Sequence, residues 1–222
     1  MGSLLREAAP AFDCVIGLTG SIASGKSHAR EFLETLGAAA IDADKLGHLA
    51  YKKGTACWSQ VVAEFSEDVV GEDGEIDRKR LGPKVFASSD RMAALNRIVW
   101  PAIEELARHE LSALGECRLG TPRPRVAIIE AAILIEAGWN ARVDEVWVTH
   151  VPDAVAIERL CTRNGISEDD ARRRLALQMP TDKRLTFSNV SIDTSGSKEE
   201  TRVLLGEQWT ALIDRLTRKC LL

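Results

Sequence analysis

Gly20-Ser21-Ile22-Ala23-Ser24-Gly25-Lys26-Ser27 fits the eight-position pattern G-x-x-x-x-G-K-[ST] and directly follows an apolar run, Cys14-Val15-Ile16-Gly17-Leu18. A strand, a tight turn and a helix N-terminus in that order aim successive backbone N–H groups at one point, where the partial positive charge of the helix end also favours an anion. This is what a phosphate-binding P-loop requires, so the run Gly20 to His28 is expected to bind ATP, with Lys26 reaching the terminal phosphates and Ser27 ligating Mg²⁺. The helix is legible too. Ala29, Phe32, Leu33 and Leu36 fall at i, i+3, i+4 and i+7, and Gly37 is placed to stop it. A Gly/Ser turn that merely precedes a lysine would lack both flanking elements. The phosphate acceptor must be read elsewhere, because kinases, GTPases and other ATPases share the loop.

With 222 residues, 45% hydrophobic and 28% charged, the chain can bury a core as one α/β domain carrying insertions. A formal net charge of −4 argues against nucleic acid as a partner, so phosphate chemistry belongs in local basic pockets. Cys14, Cys57, Cys117, Cys161 and Cys220 are scattered, with no C-x-x-C spacing and no nearby His pairs, which reads as reduced, mostly buried thiols of a cytoplasmic protein. Met1-Gly2-Ser3-Leu4-Leu5-Arg6 puts Arg where a myristoylation signal needs Ser or Thr, and no apolar run approaches a membrane span, so no membrane partner is expected.

Ala38-Ala39-Ala40-Ile41 reads as a second strand that delivers Asp42 and Asp44 at its C-terminal end, where open α/β sheets bind ligands. Trp58, Val61, Val62 and Phe65 then follow helical spacing, Gly71 to Gly74 form a polar turn, and Asp77-Arg78-Lys79-Arg80-Leu81 opens a short helix. Met92 to Glu110 keep the helical period, with Pro101 expected to kink or interrupt it. This long, mainly helical stretch fits a substrate-binding insertion better than a plain crossover. Gly115 to Arg125 reads as a surface loop, and Val126 to Glu130 and Glu145 to Thr149 as buried parallel strands. Asp153 to Arg163 reads as a helix, Ser167-Glu168-Asp169-Asp170 as a capping box for the next, and Val190-Ser191-Ile192 as the last strand. A second capping box, Ser197-Lys198-Glu199-Glu200, opens a long helix with Leu205, Trp209, Leu212, Ile213 and Leu216 on one stripe. Five strands alternating with helices make a doubly wound parallel sheet.

Phosphoryl transfer needs an acceptor oxygen held in line, a group to take its proton, and positive charge around the phosphoryl group. Asp42 and Asp44, two apart on an extended segment, would project to the same side, and one of them could meet the acceptor hydroxyl. Equally, they could cap the following helix or hold Mg²⁺ through water. Arg159, Arg163, Arg172, Arg173 and Arg174 also have two readings: a solvated face paired with Glu168, Asp169 and Asp170, or a lid that closes arginines over ATP.

Val15 to Gly20 running into the P-loop, Ile41-Asp42-Ala43-Asp44 followed by Gly47-His48 and Tyr51, Gly74-Glu75-Ile76-Asp77-Arg78 before Leu81 and Val85-Phe86, Leu134-Ile135-Glu136-Ala137-Gly138-Trp139, Arg163-Asn164-Gly165-Ile166-Ser167, and Arg174 with Gln178-Met179 resemble dephospho-CoA kinase, in order and spacing, from about Cys14 to about Leu216. Trp100-Pro101 and Glu130-Ala131-Ala132-Ile133-Leu134 look most like the kinase domain of bifunctional CoA synthase. The resemblance implies a P-loop kinase three-layer α/β fold with a five-stranded parallel sheet, and phosphorylation by ATP of the 3′-hydroxyl of dephospho-CoA. On this view residues 1–222 form a single kinase domain: a nucleotide-binding core over 12–44 and 126–218, a helical CoA-binding region over 45–125, and a lid over 159–180. It further implies Asp44 as general base, Lys26 and Arg163 on the transferring phosphate, Mg²⁺ on Ser27, and Asp42, His48, Tyr51, Arg78 and Glu136 on the acceptor side. Fusion to, or association with, an adenylyltransferase is the protein partner implied.

The sequence departs from the family pattern at Ser21 and Ala23, where bacterial relatives commonly have glycine, at Glu130 and Asn164, where Asp is usual, and at Thr194, where Asn is expected. Two other classes stay open. A shikimate or nucleoside monophosphate kinase should lack the Asp77-Arg78 insertion and the Glu136-Ala137-Gly138-Trp139 match. A GTP switch or non-catalytic nucleotide-binding module should carry N-K-x-D, which is absent.

Overall fold

Every residue of β1 (Cys14–Gly20) is buried, as a central strand covered on both faces must be. The computed structural model describes Leu5 and residues 9–220. The reading of the remaining N-terminal residues, and that of the Cys220 thiol, lies outside the described residues. By Cα proximity the chain forms two units, one of Met1–Ile41 with Leu111–Leu222 and one of Asp42–Glu110.

The first unit holds a five-stranded parallel sheet in the order β2-β3-β1-β4-β5, from β2 (Ala39–Asp42), β3 (Val126–Glu130), β4 (Glu145–His150) and β5 (Val190–Asp193). β1 lies between β3 and β4, in a register that sets Leu18 beside Glu130 and Gly20 beside Thr149. One face packs on α1 (Lys26–Thr35) and on the helix Lys198–Cys220. Ile16, Leu18, Ile128 and Trp147 of the strands meet Ala29 and Leu33 of α1 and Leu205 and Leu212 of the long helix. The stripes read from helical spacing are thus the faces turned to the core: Ala29, Leu33, Leu205 and Leu212 are buried, Phe32, Trp209, Ile213 and Leu216 pack against them partly buried, and Leu36, just past α1, is about one-third exposed. Ser197 and Glu200 make the reciprocal box that starts the long helix: Glu200 N donates to Ser197 Oγ at 3.1 Å and Ser197 N to Glu200 Oε2 at 2.7 Å.

The second unit contains α2 (Ala43–Ala50), α3 (Ala56–Phe65) and α4 (Arg78–Val85), each started by a side-chain cap, from Asp42, Thr55 and Asp77. A one-pair antiparallel bridge, Val70 with Ile76, closes the Gly71–Gly74 turn. α5 (Ser89–Cys117) begins in this unit and corrects two expectations: Pro101 does not interrupt it, and it continues across Gly115 to Cys117, the start of the segment that reads as a loop. Proline removes one backbone donor, and apolar burial along Val99, Ile103, Ala107 and Leu111 keeps the helix in register across that gap.

Completing the first unit are α6 (Asp153–Asn164), α7 (Glu168–Ala176), α8 (Thr181–Leu185) and α9 (Lys198–Cys220). α8, one turn long, was not legible in the sequence. Cys14 and Cys57 are buried, but Cys117 is exposed and Cys161 half-buried, so the thiols are less buried than expected. No helix among the described residues is long and apolar enough to cross a membrane.

Replacing Ser197 by Ala should lower the urea midpoint by a loss of about 1 kcal/mol with an unchanged slope, as read by far-UV circular dichroism.

Candidate active site

No side chain fits at Gly20. A Cβ there would stand 2.3 Å from the Thr149 carbonyl oxygen and 2.4 Å from Ser24 Oγ, so strand β1 can leave the sheet only through glycine. Beyond it, Ser24 Oγ and Thr149 Oγ1 share a hydrogen bond of 2.8 Å, and Thr194 Oγ1 donates to the Ser24 carbonyl at 2.8 Å. Gly25 takes the left-handed conformation (φ 81°) that turns the chain into α1. Ala23 does the same at φ 62°, a conformation unfavourable for any residue with a side chain. A side chain at position 23 is thus held at the cost of local strain.

Lys26 heads α1 and folds back over the loop, its Nζ donating to the Gly20 carbonyl at 3.0 Å and to that of Ser21 at 3.4 Å. Ser27 Oγ donates to Glu130 Oε1 at 2.8 Å, and Arg30 Nε donates to Glu130 Oε2 at 2.8 Å. Glu130 is 2% exposed at the C-terminal end of β3, so Arg30 supplies the countercharge that burial demands. Ser27 and Glu130 are hard oxygen donors within reach of each other, and they suit Mg²⁺, which takes one or two carboxylates and completes its shell with phosphate and water. Among the described residues no three His, Cys, Asp or Glu cluster as a self-sufficient metal site.

Of the arginines on α6 and α7, Arg172 pairs with Glu168 and Arg173 with Asp170, both on exposed side chains, which is the solvated face. Hydrogen bonding to Arg173 and Ser167, in that order, holds the Asp170 carboxyl below its usual range. Arg159 behaves differently. It reaches the loop, donating through Nη1 to the Ala23 carbonyl at 3.4 Å and to Thr194 Oγ1 at 3.3 Å, and through Nη2 to the Thr194 carbonyl at 2.5 Å. Arg163, one turn on and exposed, has its Nε on Asn164 Oδ1 at 2.8 Å. Gln178, after α7, takes the Ile22 N–H on its Oε1 at 2.7 Å. A cavity of about 690 Å³ opens there, lined among others by Ser21, His150, Arg172, Gln178 and Asp193. Hydrogen bonds from Ser195 hold the Asp193 carboxyl below its usual range, with His150 and Arg159 adding attraction.

Glu136, expected on the acceptor side, meets Arg184, a residue the sequence did not single out: Arg184 Nη2 donates to Glu136 Oε1 at 3.0 Å. The second unit carries the other expected acceptor residues. Asp42 is a helix cap there, accepting from Lys45 N at 3.1 Å. Asp44 corrects the extended-segment reading, because it lies in the first turn of α2, exposed, where the helix dipole favours its charge. His48 and Arg78 are hydrogen-bonded, and the Arg78 guanidinium lies 5.6 Å from the centre of the Tyr51 ring, so three separated sequence positions form one patch. His28, behind Ser27, is half-buried.

Residues 14–200 match the family model described as Dephospho-CoA kinase. The chain is 45% identical over 195 residues to the dephospho-CoA kinase of Geobacter sulfurreducens, covering 88% of this chain and 96% of the relative. It is 41% identical over 204 residues to that of Geobacter metallireducens, covering 92% and 99%. A crystal structure of a Thermus thermophilus protein superposes with a TM-score of 0.74 at 28% identity over 92% of this chain and 98% of that one. The Campylobacter jejuni dephospho-CoA kinase shares the fold, with a TM-score of 0.65 at 23% identity over 90% and 97%.

Substitution of Gly20 by Ala should destabilise the chain by about 1–3 kcal/mol and weaken ATP binding in parallel, as followed by denaturant midpoint and nucleotide titration.

Proposed function

Because this chain belongs to the dephospho-CoA kinase family, we propose a division of labour among its residues for the reaction that family name states. The enzyme transfers the terminal phosphoryl group of ATP to the 3′-hydroxyl of dephospho-CoA, which gives CoA and completes CoA synthesis. The observation that carries the division is the loop itself, with Lys26 folded over Gly20 and Ser21 and Ser27 joined to the buried Glu130.

The amides of the loop and the N-terminus of α1 bind the phosphates, and Lys26 balances the charge that moves to the bridging oxygen as the phosphoryl group departs. Ser27 and Glu130 would hold Mg²⁺, which draws charge from the phosphate oxygens when bound. Arg159 holds the loop at Ala23 and Thr194, and Arg163, exposed one turn later, is the lid arginine for the transferring group. Asp44 takes the proton of the acceptor hydroxyl as the new P–O bond forms. Asp42 supports it by capping α2, while His48, Tyr51 and Arg78 bind the anionic acceptor, a role suited to a guanidinium over an aromatic ring. Glu136, its Oε1 held by Arg184, contributes to binding the acceptor. The finer likeness, to the kinase domain of bifunctional CoA synthase, rests on Trp100-Pro101 and Glu130 to Leu134. On that likeness the chain receives dephospho-CoA from an adenylyltransferase fused to it or associated with it.

Purified protein with ATP and Mg²⁺ should convert dephospho-CoA to CoA stoichiometrically, with little turnover of AMP, shikimate or no acceptor, as identified by product mass. Transfer to one of those other acceptors alone would sink the substrate assignment. Asp44→Asn should keep ATP binding and folding while turnover drops about 10²–10⁴-fold, and near-normal turnover would refute the base. Arg163→Ala should lower kcat by at least about tenfold with ATP affinity nearly unchanged; the reverse pattern would contradict a role in the transition state.

A further inference from the structure

Arg184 is 1% exposed, a full guanidinium charge inside the fold, on a helix of a single turn. Burial of that kind survives only where fixed acceptors replace water. The acceptors here come from two different strand ends. Nη1 donates to Thr19 Oγ1 and to the Ala132 carbonyl, each at 3.1 Å, and Nη2 donates to Glu136 Oε1 at 3.0 Å. Thr19 is the residue before Gly20, and Ala132 follows Glu130 by two positions, so one guanidinium clamps the start of the phosphate loop to the segment that carries the Ser27 partner.

The clamp continues under the loop. The Thr19 carbonyl accepts from Thr149 Oγ1 at 3.3 Å, and Thr149 Oγ1 shares a hydrogen bond with Ser24 Oγ. The same stretch of chain that bears Arg184 also bears Gln178, whose side chain holds the Ile22 amide. Residues 177–185, within the connection from α7 to β5, therefore grip the phosphate loop and its entry at two points. Lysine could not reproduce this grip, because its ammonium lacks the planar fork that spans three acceptors.

We propose that Arg184 is a positioning residue for phosphoryl transfer: it fixes the ends of β1 and β3 against each other, so that Ser27 and Glu130 face the same nucleotide phosphates, and it does so without touching either substrate. The proposal rests on the kinase reading above and adds to it the element that sets the spacing of its parts.

Arg184→Lys is the test, with kcat and both KM values from CoA formation and with hydrogen exchange of the segments 17–27 and 201–216. The variant should fold, lose at least about tenfold in kcat with the dephospho-CoA KM within about threefold, and exchange faster in 17–27 with 201–216 unchanged. A kcat within about twofold of the parent would overturn the proposal, as would a rise in exchange shared equally by both segments, which marks a core-filling residue. A raised dephospho-CoA KM at unchanged kcat would overturn it in favour of substrate contact. If Arg184→Lys does not fold, Thr19→Val removes at nearly constant volume the hydroxyl that accepts from Arg184 and donates to the Ala132 carbonyl at 3.4 Å, and it should lower kcat by about threefold with the same local exchange; parental kcat and exchange would overturn the proposal. Absence of CoA formation by the unaltered chain would instead sink the kinase reading, and the exchange arm, which needs no turnover, would still decide whether Arg184 holds the loop.

Discussion

The contact between β1 and β4 at Gly20 governs the rest of the nucleotide site. Two parallel strands lie about 4.8 Å apart, and at that spacing the Thr149 carbonyl and hydroxyl occupy the space where any residue-20 side chain would stand. The chain leaves β1 along one path, and the loop forms against β4 instead of hanging free above the sheet. Thr149 from β4 and Thr194 from just beyond β5 then hold Ser24 from two sides, so the loop's shape is a property of the sheet edge beside it.

Charge placement follows from the same geometry. Glu130 lies at the end of the neighbouring strand, nearly sealed from water, and its two oxygens are divided between Ser27 and Arg30. A buried carboxylate with one oxygen on a cation and the other on a hydroxyl is partly neutralised before any nucleotide arrives. It also has a fixed direction, and direction is what an electrostatic site must have in advance of the reaction.

Much of this was legible in the sequence, for reasons that differ by residue. The loop was readable because its spacing is imposed by local geometry, and α1 and the Lys198–Cys220 helix because burial on one side writes a 3.6-residue period. Ser197 with Glu200 could be read because capping is settled within four residues. Asp44 reads as extended in the sequence but lies in the first turn of a helix: whether a segment after a strand stays extended or coils at once depends on the Asp42 cap, which competes with strand continuation. Pro101 does not end its helix, since one missing donor is outweighed by packing along 29 residues. Arg184 could not have been found, because a five-residue helix has no period, and an arginine in it looks like any surface cation until Thr19, Ala132 and Glu136 are brought around it.

Ala23 shows how a loop of this kind constrains its own evolution. Its left-handed backbone is held from outside, by Arg159 on its carbonyl and by packing with Ile22 against Ile157, Leu160 and Ala171. The surroundings, not the residue, own the conformation. Sequence drift at this position is therefore a one-way gate: glycine enters freely and asparagine at small cost, whereas valine or isoleucine would set a branched Cβ against the backbone just where the chain must curl around an anion. A lineage that holds alanine here sits one step inside that gate, with the fold around it bearing the strain.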